Sequence, residues 1–137
     1  MTQVKFEDMI GITFNKVYVD QNEEMIIFEN EETKFALFHS QDCCEAVDLE
    51  EIVGDLPDLI GTPILEARED TNSSNPPKES KYEPDSYTWS FYNFRTIKGS
   101  VTIRFYGESN GYYGETADLH KWSDRYNKNG YWSNWIS

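Results

Sequence analysis

The chain has 137 residues, of which 38% are hydrophobic and 15% aromatic, enough for one domain with a packed core, too little for two, and too apolar for a disordered acidic tail. Its 12 Lys/Arg against 25 Asp/Glu give a formal charge of -13, a sign that repels nucleic-acid backbones and anionic membranes, so direct binding to either is disfavoured. No run approaches the roughly 18 apolar residues of a membrane span, and the start MTQVKFEDMIG lacks a signal peptide's basic and apolar regions. A soluble, cytoplasmic protein is the expectation.

Along the chain, Lys16 to Asp20 (KVYVD), Glu24 to Asn30 (EMIIFEN) and Lys34 to His39 (KFALFH) are short apolar runs separated by polar turns. Three antiparallel strands fit that spacing. From Asp48 to Ile60 the apolar residues Leu49, Ile52, Val53, Leu56, Leu59 and Ile60 recur at three and four, with acids between them. That period predicts a short amphipathic helix with an acidic outer face, interrupted at Gly54 and Pro57 and stopped by Gly61 and Pro63. Pro63 to Ala67 (PILEA) reads as a strand. Residues 71–87, polar and carrying Pro76, Pro77 and Pro84, read as a long loop.

Thr88 to Thr96 alternates, with Trp89, Phe91 and Arg95 on one side and Ser90, Tyr92 and Phe94 on the other; Val101 to Tyr106 alternates again after Lys98-Gly99. The pair predicts a hairpin. Asn110-Gly111 suits a type I′ turn, which would lead a third strand through Tyr112 and Tyr113. The fold expected is α+β, a mostly antiparallel sheet of hairpins and meanders with one short acidic helical segment. It forms a single domain over residues 1–121, followed by an aromatic-rich tail, 122–137, expected to pack on the domain or on a partner subunit.

Charge and aromatics divide between the halves. Residues 1–70 hold 18 Asp/Glu against four Lys/Arg, whereas 71–137 are near neutral and hold 15 of the 21 aromatics. No phosphate-loop, dinucleotide or metalloprotease motif occurs.

His39-Ser40-Gln41-Asp42-Cys43-Cys44-Glu45 gathers nearly every reactive side-chain type into seven residues. Cys43 and Cys44 are the only cysteines, and an intracellular chain is expected to keep such neighbours as free thiols, at most one of them in the core. Four readings compete. Cys43 or Cys44 acts as a nucleophile activated by His39, with Asp42 or Glu45 orienting the imidazole, although nearby acids oppose a thiolate. Or His39, Cys43, Cys44 and His120 hold zinc, at a spacing that matches no standard finger. Or Ser40, Asp42 and Glu45 form a turn that recognises a ligand. Or the cysteines are small hydrophobes and Asp42 caps a turn, the reading preferred, with no metal or cofactor. Arg104, among strand aromatics, either grips an anionic ligand or balances Asp42 or Glu45 within the fold. Tyr112, Tyr113, Trp132 and Trp135 are of the types that dominate interface hot spots.

At His39 to Glu45 (HSQDCCE), Gly54 to Ile64 (GDLPDLIGTPI), Trp89 to Phe94 (WSFYNF) and Lys98 to Tyr113 (KGSVTIRFYGESNGYY), the sequence resembles an uncharacterised domain family found mainly in bacteriophages and prophages, over about residues 6–119. The resemblance carries no catalytic or binding residues. It implies a context in which small acidic proteins bind and disable host machines, including restriction and CRISPR nucleases. Charge points the same way, because an acidic surface can occupy a cationic nucleic-acid channel in competition with phosphate. The expected function is a non-enzymatic, phage-encoded antagonist of a host nucleic-acid-handling or defence complex with a basic surface, with a homodimer left open. Its contacts would be Asp48, Glu50, Glu51, Asp55 and Asp58 together with Tyr112, Tyr113, Trp132 and Trp135. The alternative is a small-molecule, nucleotide or metal site, catalytic or sequestering, built from His39, Asp42, Cys43, Cys44, Glu45 and Arg104.

Overall fold

A computed structural model of the chain describes residues 2–73, 76–78 and 85–122. The three early apolar runs form β2 (Lys16–Val19), β3 (Ile26–Glu29) and β4 (Lys34–Phe38). With β1 (Thr2–Gln3) and β9 (Asp118–Lys121) they make a five-stranded sheet in the order β1-β9-β4-β3-β2. The strands β5 (Ala46–Val53), β6 (Glu66–Asn72), β7 (Ser86–Thr96) and β8 (Gly99–Ser109) make a second sheet in the order β5-β8-β7-β6. Every named pairing is antiparallel.

The period-2 alternation of each strand sends one set of side chains into a core shared by both sheets. Val17, Phe28 and Phe35 of the first sheet and Tyr92, Phe94, Ile103 and Phe105 of the second are buried in one cluster, and the Phe28 and Phe94 rings meet at 4.9 Å. Truncating either phenylalanine to Ala removes contacts on both sheets, a change that costs about 3–5 kcal/mol. The β7–β8 hairpin matches the expectation, pairing Thr96 with Gly99 across Ile97-Lys98, with Ser90, Tyr92 and Phe94 buried.

The helix expected from Asp48 to Ile60 is absent, and so is the α part of the α+β class: among the described residues the only helical pieces are 3₁₀ turns at Phe6–Met9 and Leu56–Leu59. Residues 46–53 are instead the strand β5, whose register against β8 shifts between Leu49 and Glu51. That bulge explains the misleading period. An extra residue in the strand changes the spacing of Leu49 and Ile52, which pack against the core, from two to three and so imitates a helical face.

Three further expectations are corrected. The strand placed at 63–67 runs at Glu66–Asn72. The loop placed at 71–87 is shorter, because β6 extends to Asn72 and β7 begins at Ser86. Tyr112 and Tyr113 lie in a bend, not a strand, and the next strand is β9. Only Gly111 takes the positive φ, 91°, that a type I′ turn needs twice, and Asn110 instead accepts the Tyr112 N–H on its side chain at 3.0 Å. The chain then returns across β8 at Gly107, where a Cβ would sit 2.0 Å from the Glu115 carbonyl oxygen, so no side chain fits there.

Candidate functional site

β4 ends at Phe38 and β5 starts at Ala46, so the reactive heptad His39–Glu45 is the crossover that carries the chain from one sheet to the other. It folds around one carboxylate. Glu45 is 5% exposed, and its oxygens accept the backbone N–H of Asp42 at 2.9 Å and of Cys43 at 2.8 Å, the Gln41 side-chain amide at 3.3 Å and His39 Nε2 at 2.7 Å. His39 is fixed from its other side, Nδ1 lying 3.0 Å from the Thr116 carbonyl. Burial opposes ionisation of Glu45, but the backbone N–H donors and the His39 contact outweigh it and hold the carboxyl at about 2.

These bonds use up the acceptor capacity that a general base or a metal ligand needs. The cysteines differ from the expectation of free thiols, because they are joined to each other in a disulfide; both are exposed, which agrees with the expectation of at most one in the core. The turn accounts for this, since Glu45 draws the N–H groups of Asp42 and Cys43 inward and leaves the neighbouring side chains outside. Asp42 is exposed beside them. His120, weighed as a fourth zinc ligand, stacks on Phe38 at 4.4 Å on the five-stranded sheet. Among the described residues no group of three or more His, Cys, Asp or Glu side chains is arranged to hold a metal ion.

Arg104 has partners of its own rather than Asp42 or Glu45. It projects from β8 on the face of the four-stranded sheet turned away from the core, its Nη2 pairs with Glu51 at 2.7 Å, and its guanidinium lies 5.0 Å over the Trp89 ring. Beside it, Trp89 and Tyr106 pack at 4.5 Å and Tyr87 and Tyr106 at 6.1 Å. Residues 76–78 cross this aromatic row. The Trp89 indole donates to the Pro76 carbonyl at 3.0 Å, and Lys78 pairs with Glu50 on β5. Tyr106 is pushed up to about 12, by burial first and then by its hydrogen bond to Glu108.

The five acids expected on one helix face are distributed by the strand. Asp48 and Glu51 stand on exposed β5 positions, Glu50 occupies the bulge, Asp55 is exposed just beyond the strand, and Asp58 is half-buried in the 3₁₀ turn against the β7–β8 hairpin, its carbonyl accepting the Thr96 hydroxyl. β5 is an edge strand, and next to it the turn between β2 and β3 brings Asp20 and Glu23 to a groove of about 420 Å³ shared with Glu50 and Glu51. Tyr112 is 89% exposed with Tyr113 beside it, rings 6.4 Å apart. Trp132 and Trp135 lie outside the described residues, while Trp122, first residue of the expected tail, is buried against the five-stranded sheet with Ile27 and Ala36.

Sequence reasoning missed Asp20 and Glu23 as groove residues and Trp89 and Tyr106 as partners of residues 76–78. The outward alternation Tyr87, Trp89, Phe91 was the available signal for the second pair. Nothing local marks the first, because the turn meets β5 only through the tertiary fold.

The chain matches the family described as domain of unknown function (DUF7448) over residues 7–119. No curated protein and no solved structure matches it.

Proposed function

The chain belongs to the DUF7448 family, and we propose that it is a binding module whose acidic edge engages a basic protein surface. One observation carries the reading: the exposed edge strand β5 and the neighbouring β2–β3 turn bring Asp20, Glu23, Glu50 and Glu51 to a single groove, in a chain of net charge -13. An unpaired strand edge offers backbone donors and acceptors, and its acidic side chains repel acidic chains and select cationic ones. The partner class this suits is a host protein with a basic nucleic-acid-binding surface, and the role is that of a phage-encoded antagonist which blocks that surface by occupying it where phosphate would lie. Saturation of Glu45 favours this binding role over a thiol or metal chemistry at the crossover.

The test compares two sets of equal charge loss in tagged protein recovered from bacterial lysate. Glu23→Gln, Asp48→Asn, Glu51→Gln and Asp55→Asn together neutralise the edge. Glu7→Gln, Glu31→Gln, Glu32→Gln and Asp85→Asn together neutralise exposed acids elsewhere. A stoichiometric partner released by salt, kept by the second variant and lost by the first, is expected. Equal retention by both variants, or equal loss, overturns the assignment to the edge.

A further inference from the structure

Residues 76–78 are joined to the outer face of the four-stranded sheet by three contacts, each to a different side chain. The Trp89 indole N–H donates to the Pro76 carbonyl at 3.0 Å, the Lys78 backbone faces the Tyr106 hydroxyl, and the Lys78 ammonium pairs with Glu50. Trp89, Tyr106 and Glu50 stand on β7, β8 and β5, so this short piece of chain spans three adjacent strands. Two aromatic rings 4.5 Å apart, a tryptophan donor aimed at a carbonyl that precedes a proline, and a carboxylate one step further on are the elements by which proteins recognise proline-rich extended peptides. Proline fixes φ and holds the residue before it extended, so a Pro-Pro pair presents its carbonyl at little entropic cost.

We infer that the Trp89–Tyr106–Glu50 row is a recognition site for an extended Pro-Pro-Lys or Pro-Pro-Arg segment of a partner protein, occupied in the free chain by its own Pro76-Pro77-Lys78. The inference rests on the binding-module reading and names the partner's feature: a proline pair followed by a cation that meets the acidic edge. Occupation in cis makes the site selective. The tethered segment competes at an effective concentration in the millimolar range, so only a partner that also engages the edge displaces it. Arg104, stacked on Trp89 and paired with Glu51, holds the indole in place as a positioning residue.

The experiment uses the full chain with Pro76→Gly, Pro77→Gly and Lys78→Ser, which vacates the row, and a synthetic peptide SNPPKES as the probe. Amide dispersion in the NMR spectrum checks that the variant is folded. The Trp89 indole N–H resonance is expected to move on vacating and to return, saturably, as peptide is added. Trp89→Phe in the vacated background, which keeps an aromatic ring but removes the indole donor, should weaken the peptide at least tenfold when binding is read by calorimetry for both chains. The intact chain should bind the same peptide more weakly than the vacated one, and SNGGKES should not bind. An unmoved indole signal, equal binding after Trp89→Phe, equal binding by the intact chain, or equal binding of SNGGKES overturns the inference. The lysate comparison above fails independently: a peptide that binds while the edge-neutralised chain keeps its partner removes the edge reading and leaves this one standing.

Discussion

Glu45 and the acids of β5 lie within seven residues of one another and have opposite environments. Glu45 is buried under four donors that come from its own loop and from His39, whereas Asp48 and Glu51 look outward, and Glu51 meets a cation from β8 with its side chain still about half exposed. The same functional group is thus a fastener in one place and a surface charge in the other. What separates them is the count of N–H groups within reach, since a buried carboxylate persists only where donors replace the water it has lost.

The sharpest way to break this contrast is Glu45→Gln, which keeps the shape but points an amide N–H₂ at a ring of donors. It should lower Tm more than either Tyr92→Phe or Glu51→Gln does, with the crossover amides of Asp42 and Cys43 losing protection from hydrogen exchange. The pH dependence has a definite sign. The carboxyl sits at about 2 in the fold against 4.5 ordinarily, so its contribution is fully present above roughly pH 4.5 and is lost as pH falls towards 2. Melting curves from pH 7 to 2 should show wild type and Glu45→Gln converging at the acid end. A variant that melts with wild type at pH 7 would make Glu45 no more structural than its neighbours on β5.

The interior polar groups behave alike, and Tyr92 is the next test. Its hydroxyl accepts the Ala117 N–H at 2.9 Å and lies 2.8 Å from Glu69. Tyr92→Phe leaves that buried N–H unpaired and should cost about 1–3 kcal/mol in urea unfolding. Glu51→Gln, which breaks the Arg104 pair on the outer face, should cost no more than about 1 kcal/mol, and less as salt is added. If Glu51→Gln proved the more costly of the two, burial would not be the variable that separates the regions.

How far the sequence revealed this arrangement follows from the range of the forces involved. Apolar runs between polar turns exposed β2, β3 and β4, and alternation exposed the β7–β8 hairpin, because both patterns are local properties of the sequence. Alternation failed at β5, where one bulge residue shifted Ile52 into helical spacing, and nothing local distinguishes a bulge from a turn of helix. The heptad HSQDCCE stood out as chemically dense, but its density turns out to close a loop: the role of Glu45 depends on backbone N–H groups, which have no signature in side-chain identity. The Trp89–Pro76 contact joins residues 13 apart, across positions whose approach is set by the sheet.

The smallest expected effect is at the cysteines. Cys43 and Cys44 are sequence neighbours, so their bond closes the shortest loop a chain can offer and removes very little entropy from the unfolded state. Both side chains are exposed, so no core packing depends on them either. Replacing both by Ser should therefore leave urea unfolding within about 0.5 kcal/mol of wild type, and a dithiol reductant should change the wild type as little. Thiol titration supplies the chemical half of the test, with no reactive thiol before reduction and two after it, since the chain has two cysteines. A large stability loss in the Ser variant would mean that the crossover depends on its sulfurs as well as on Glu45, and the contrast between fastener and surface would have to be redrawn one residue earlier in the chain.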